Sequence, residues 1–340
     1  MAIQSTKISP KLLRATFWGI ASITPILAAI WWPDTVWLVV AFVIRSLFSI
    51  APLVIPGILL AAWIMASGAG NSIARAFNIR MAHALLVASF VGALTPVCGV
   101  TVLPLMAGLL SAGVPLAPIM AFWLSSPITA PAMLATTAAT LGTSFAIGKT
   151  LAAFFLGLFG GMVTSLFARL PWYGNALRKN SIVGSLGSAS CGAALNFEPK
   201  VWKFTERRQK FAQESWSITR LILICLTPAF AAEYALNAML QPEALTPYIG
   251  TDRWWAVPLA VIIGAPAYLD GYAALPLTRG LIEHGMSQGA AMAFLVSGGV
   301  VSIWGAMAIF PVLKLKPFVL YLTLAIAGSL AAGWVFDLVM

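Results

Sequence analysis

Two stretches of this chain, residues 151–168 and residues 36–67 apart from Arg45, are largely apolar on every face that a helix would present. A helix needs roughly 20 such residues to cross the hydrocarbon of a bilayer. Within hydrocarbon only helices and closed barrels leave no backbone group without a hydrogen bond. Barrel strands alternate apolar and polar residues, which these stretches do not. With 60% of the 340 residues hydrophobic and 9% charged, a soluble fold is excluded. An all-α polytopic membrane protein is the expected architecture.

A formal net charge of +10 would suggest nucleic acid in a soluble protein, but here many Lys and Arg fall in tails and loops between apolar segments. That is the positive-inside pattern of a bilayer protein, and no nucleic acid partner is expected. Lys7, Lys11 and Arg14 precede an apolar run, 15–32, that ends in Trp31-Trp32-Pro33 without a small-residue cleavage site, so it reads as a retained extra N-terminal span. A span over 35–67 returns the chain to Arg75 and Arg80. A further stretch, 81–110, is broken at Thr95-Pro96-Val97-Cys98-Gly99, because proline and glycine do not continue a helix. Spans over 118–141 and 150–168 follow, ending at Arg169 and a long basic segment, which leaves Lys149 as a lone exception on the outer side. Starting inside at Arg80 and finishing inside at Arg169 requires the broken stretch to be a re-entrant hairpin or a pair of thin spans.

Beyond a linker with Arg178, Lys200, Lys203, Arg207, Arg208 and Lys210, and with a charged helical portion expected near 201–213, the order recurs: a span over 218–240, a stretch over 254–282 broken at Gly264–Gly271, and spans over 290–310 and 317–339 separated by Lys314 and Lys316. The expected division is residues 1–34 for the tail and first span, 35–170 for a first repeat, 171–216 for a cytoplasmic linker and 217–340 for a second repeat. Shifting the sequence by 172 lays 92–127 on 264–299 without a gap, with thirteen of thirty-six positions identical, among them Gly99 with Gly271 and Pro104 with Pro276. Shared apolar composition does not account for matched glycine and proline. Combined with the charge pattern, the two halves read as inverted-topology repeats, an arrangement in which broken helices meet near the bilayer midplane. The expected location is a bacterial inner membrane, with the N-terminus and central loop cytoplasmic.

Ionisable groups within apolar segments cost about 2.5–3.5 kcal/mol each and so call for a function. They are Arg45, Glu233, Asp270 and Arg279. Asp270 lies in the second break, opposite Cys98 of the first, and is read either as a proton or cation carrier or as the cap of the helix that follows. Arg279 either contacts a substrate or Asp270, or reaches toward the surface. Glu233 and Arg45 are candidates for coupling charges or buried ion pairs. Cys98, framed by Pro96 and Gly99, is either a thiolate for soft solutes or a small residue filling a turn. Thr95, Thr101, Ser125, Ser126, Thr129, Tyr268, Tyr272, Ser297 and Ser302 offer neutral hydrogen-bonding groups around the breaks, some lining a path and others satisfying backbone carbonyls. Cys191 and Cys225 read as a loop and a packing cysteine. No nucleotide-binding loop, metalloprotease helix or nucleophile elbow occurs, so neither an enzyme nor a cofactor or metal centre is expected.

The run Thr95-Pro96-Val97-Cys98-Gly99-Val100-Thr101-Val102-Leu103-Pro104-Leu105, then Gly113-Val114-Pro115 and Phe122-Trp123-Leu124-Ser125-Ser126-Pro127-Ile128-Thr129-Ala130-Pro131, resembles the ArsP-type permease family, as do Pro266-Ala267-Tyr268, Pro276, Gly285 and Ala293-Phe294-Leu295. The resemblance implies a permease, and some members of that family export trivalent organoarsenicals. Departures are Val100 in place of a second cysteine, Ala130 in place of asparagine, Asp270 in place of a small or sulfur residue, and Gly299 in place of proline. The expected activity is efflux of a small solute such as a trivalent organoarsenical, with Cys98, Thr95, Pro96, Gly99, Ser125, Ser126, Tyr268, Asp270, Tyr272 and Ser297 as substrate contacts. Proton coupling is assigned to Asp270. The alternatives are a permease of the same fold for another small anion or metal species, and a membrane subunit that docks a soluble partner through its basic linker.

Overall fold

The computed structural model describes residues 33–69, 80–95, 102–111, 113–129, 131–178, 197–239, 254–265, 271–302, 305–306 and 309–340, and these are predominantly helical. The first half comprises α1 (Pro33–Ser67), α2 (Met81–Leu94), α3 (Val102–Ser111), α4 (Leu116–Ser125), α5 (Pro131–Leu141) and α6 (Thr143–Leu166). The second comprises α7 (Thr205–Met239), α8 (Ala256–Gly264), α9 (Gly271–Glu283), α10 (Gln288–Val300) and α11 (Leu315–Val339). The expected first span, 15–32, lies outside the described residues.

Helix starts recur at the offset seen in the sequence. α1 and α7 have 35 residues each and start at 33 and 205, 172 apart, and each carries a proline at matching positions, Pro56 and Pro228. α4 and α10 begin at 116 and 288, and α6 and α11 at 143 and 315. The ends of α3 and α9 are closed alike. Gly113 and Gly285 adopt φ of 89° and 101°, a backbone that glycine accepts without strain. Val114 N–H donates to the Leu109 carbonyl and Met286 N–H to Leu281, the longer of the two bonds of a Schellman stop.

Packing repeats with the same offset. In the first half α2, α4 and α6 pack on one another, and in the second α8, α10 and α11 do. Glycine makes these approaches possible, as in many membrane helix pairs. A Cβ on Gly161 would lie 2.8 Å from Ala121 Cβ and 2.7 Å from Leu85. On the counterpart Gly333 it would lie 2.8 Å from Ala293 Cβ and 2.7 Å from Val257. Gly92 and Gly264 match again, each placing a would-be Cβ 2.7 Å from a carbonyl, that of Phe122 or Phe294.

Between the halves, counterpart helices run antiparallel. Arg207, near the start of α7, donates from Nη1 to the Ser67 carbonyl at the end of α1 (2.8 Å), while Phe42 and Tyr234 meet with ring centroids 5.5 Å apart nearer the opposite ends. Phe145, early in α6, packs edge-on to Phe336, late in α11, at 5.1 Å. Two contacts join positions that are each other's counterparts: a Cβ on Gly328 would lie 3.2 Å from Leu156 Cγ, and one on Gly299 would lie 3.1 Å from the Pro127 carbonyl oxygen. α6 and α11 are long and apolar enough to cross a membrane, and only 39% and 33% of their most apolar windows are buried, which leaves an apolar outer surface for lipid.

The expected span over 118–141 is two helices. Ser126–Ile128 form a turn between α4 and α5, since Pro127 lacks an amide donor and Pro131 disfavours helical geometry in the residue before it. Likewise, the span expected over 290–310 stops as α10 at Val300, after Gly298-Gly299. α6 starts at Thr143 and so takes in Lys149, placed by sequence in an outer loop; that assignment is corrected here. The linker boundary expected at residue 216 falls inside α7, which continues unbroken from its charged first turns into its apolar part.

The described ends of the linker are tied down. Arg178 donates its backbone N–H to Val312 and its Nε to the Leu313 carbonyl (2.6 Å), and its guanidinium lies 4.3 Å over Phe310. At the far end Trp63 Nε1 donates to the Pro199 carbonyl (3.2 Å), and Glu198 N–H to Ser67. In the charged portion of α7, ahead of the apolar part that begins at Ile218, Glu214 is buried and its Oε2 has no hydrogen-bond partner. Loss of water raises its carboxyl from 4.5 to about 7, against the opposing pull of Lys210.

Two predictions follow from packing and burial. Gly161→Val and Gly333→Val should each destabilise the protein by about 1–3 kcal/mol and by similar amounts, as overpacked sites do, read as thermal midpoints in detergent; one tolerated and the other disruptive would contradict equivalent packing. A carboxyl whose folded pKa is raised favours the folded state below its unfolded pKa, and that contribution is lost as pH rises through the folded value. The wild type should therefore lose stability between roughly pH 4.5 and pH 7, by on the order of 2–3 kcal/mol. Glu214→Gln should melt higher than wild type at pH 8 and close to it at pH 4; equal midpoints at both pH values would refute the assignment.

Candidate functional site

The site is best approached from the edges of the breaks. Thr95, at the end of α2, donates its hydroxyl to the Val91 carbonyl one turn back, and Thr129 reaches across to the Ala93 carbonyl at 2.6 Å. Ser125 donates to Ala121 and Phe122 at the end of α4, and Ser297, its counterpart in α10, donates to Phe294 at 3.1 Å. Ser302 accepts from the Gly305 amide. Thr129 thereby joins the turn after α4 to the end of α2, while Thr95, Ser125 and Ser297 donate within their own helices. Ser125, Ser126, Thr129, Ser297 and Ser302 are buried.

Between the halves lies a cavity of ≈ 40 Å³ lined by Pro127, Met133, Lys149, Gly264, Ala274 and Gly299, with Ile128, Phe294, Leu295 and Gly298. It contains both members of the counterpart pair Pro127 and Gly299. It also lies beside Gly264 and Ala274, which flank the second break. Its charge comes from Lys149, two turns into α6 and only 3% exposed. Lys149 Nζ reaches Met133 Sδ at 3.3 Å. No carboxylate pairs with it among the described residues.

The counterpart of Lys149 is Tyr321 on α11. Tyr321 is buried, stacks at 5.1 Å on Trp123, and donates its hydroxyl to the Val300 carbonyl at 2.6 Å. Val300 and Trp123 are in turn the counterparts of Ile128 and Leu295, which line the cavity beside Lys149. The same pocket of the fold is thus met twice, once by a phenol with an acceptor and once by an ammonium resting on a thioether.

Of the residues singled out from sequence, Cys98, Pro96, Gly99, Thr101, Tyr268 and Asp270 lie outside the described residues, as do the side chains of Tyr272 and Glu233. Arg279 is exposed, with its Nε donating to Glu283 at 2.9 Å one turn away, the surface alternative of the two considered. Arg45 is exposed on α1, and no carboxylate pairs with it among the described residues. No cluster of metal-ligating side chains occurs among the described residues. Lys149 was missed because its charge was used to assign the loops. The signal that could have exposed it was the repeat itself, which aligns it with an aromatic residue inside a span.

The profile of the ArsP_1 family, described as a predicted permease, matches residues 35–338. The UPF0718 protein MJ0584 of Methanocaldococcus jannaschii is 23% identical over 338 residues, covering 83% of this chain and 91% of that protein. No solved structure matches. With the match spanning both halves and the described helices, this membrane protein belongs to the ArsP predicted-permease family.

Proposed function

We propose that the protein is a secondary transporter whose two halves are inverted repeats, moving a small solute through the region where they meet. The observation that carries this reading is the contact between counterpart positions, Leu156 with Gly328 and Pro127 with Gly299. A residue that touches its own counterpart sits on a two-fold axis. Because α1 with α7 and α6 with α11 pack antiparallel, such an axis would run across the helices, which supports the symmetry of inverted-repeat carriers for this chain. The cavity lies on it. Exchanging the conformations of the two halves opens such a site first to one side and then to the other.

Within this reading the cargo is a small solute such as a trivalent organoarsenical, captured at Cys98 and exported from the cytoplasm of a bacterial inner-membrane cell, with Asp270 exchanging a proton. The support is chemical and sequence-based: a thiol and a carboxylate occupy counterpart positions in the two breaks, the first suited to a soft metalloid and the second to titration. The alternative cargo is another small anion or metal species. Docking of a soluble partner by the linker is supported only by its basic run Lys200–Lys210.

The experiment is flux into proteoliposomes under an imposed pH gradient, with methylarsenite inside or outside. Wild type should show gradient-driven movement, Asp270→Asn should lose it by about tenfold or more while still moving solute down its own gradient, and cells carrying Cys98→Ser should regain sensitivity to methylarsenite. Undiminished pH-driven flux in Asp270→Asn would end the coupling role. Equal growth of Cys98→Ser and parent cells would end the arsenical one.

A further inference from the structure

The permease reading leaves the charge of the occupant open, and Lys149 bears on it. Its side chain is 3% exposed, it lines the cavity, and its contact among the described residues is a thioether sulfur at 3.3 Å. A sulfur is a weak acceptor and carries no charge. A buried ammonium is costly unless it is paired or neutral. Tyr321 supplies an internal control, since at the matching place the fold provides the Val300 carbonyl at 2.6 Å to receive a donor. At Lys149 the matching carbonyl belongs to Ile128, and no hydrogen bond to it forms. What stands beside the ammonium instead is the cavity, whose lining includes the small residues Gly264, Ala274, Gly298 and Gly299.

We propose that this cavity binds a compact monovalent anion, held by the Lys149 ammonium. At ≈ 40 Å³ the space holds roughly three waters' worth of volume, which suits a halide or a small oxyanion of the nitrate or formate class and excludes phosphate esters and carboxylates with long chains. The apolar remainder of the described lining, Ile128, Met133, Ala274, Phe294 and Leu295, contains no carboxylate. An anion makes the occupied cavity electrically neutral, so the loaded site crosses between conformations without a buried net charge. This inference rests on the cavity and not on Cys98 or on arsenical chemistry.

The test is equilibrium dialysis of the purified full-length protein in detergent with radioactive chloride, ionic strength being held with gluconate, and nitrate used as competitor. Wild type should bind one chloride saturably and release it to nitrate. Lys149→Met should weaken binding by about tenfold or more, the size expected when one partner of a buried charge contact is removed, and Lys149→Arg should retain it. Should Lys149→Met fail to fold, the neutral and polar Lys149→Gln takes its place. Absence of saturable chloride or nitrate binding by wild type overturns the proposal, and so does a neutral variant that binds as tightly as wild type. Binding in detergent requires no transport. A protein that binds chloride yet moves no solute therefore keeps this inference and loses the permease reading, while a transporting protein that binds no anion does the reverse.

Discussion

The close approach of helices over glycine is the contact on which the rest of the structure depends. In hydrocarbon, helices gain little from burying apolar side chains, because lipid is as apolar as leucine. Association rests instead on dense packing, which requires backbones to come near one another. Gly161 and Gly333 let α6 and α11 settle onto α4 and α10, and Gly92 and Gly264 do the same for α2 and α8. The two resulting three-helix units carry the broken segments at their edges. Each unit is held by packing, and the same glycine approaches recur in both.

Short polar side chains add a second donor to helix carbonyls here, and one of them reaches between elements. Thr129 donates to Ala93, Ser125 to Ala121 and Phe122, and Ser297 to Phe294. Of these, Thr129 joins the turn after α4 to the end of α2. Hydroxyls spent in this way contribute to the floor of a site by fixing its walls. Lys149, by contrast, donates to the thioether sulfur of Met133.

The helical class and the recurrence of helices at an offset of 172 were legible in the sequence, because apolar length and matched glycine and proline are direct physical constraints. The interruption between α4 and α5 was less legible. Pro127 and Pro131 stand within an apolar run, and hydropathy averages over them even though each removes a helical amide. The continuity of α7 was hidden for the opposite reason: its first turns are charged and its later turns apolar, so composition changes where the backbone does not. Lys149 was hidden because charge near a span end was read as a topological marker, and only the packing of α6 against α5 and α11 reveals that the side chain turns inward. The thiol and carboxylate of Cys98 and Asp270 were named from sequence alone and lie outside the described residues.

The inequality of the two halves is as informative as their likeness. A carrier built from perfect inverted repeats would have the same energy facing either way, so any preference for one orientation must come from positions where the counterparts differ. Gly161 and Gly333 cannot supply it, being the same residue in the same contacts. Lys149 and Tyr321 can. In the conformation described, the Tyr321 hydroxyl is satisfied by Val300 while the Lys149 ammonium rests on Met133. Exchanging the shapes of the halves would set a phenol where an ammonium now stands, and the converse. A phenol with a carbonyl partner is content without an occupant, whereas an ammonium without one is not. The empty protein and the anion-loaded protein should therefore prefer different orientations, with occupancy of this one site setting the direction in which the halves lean.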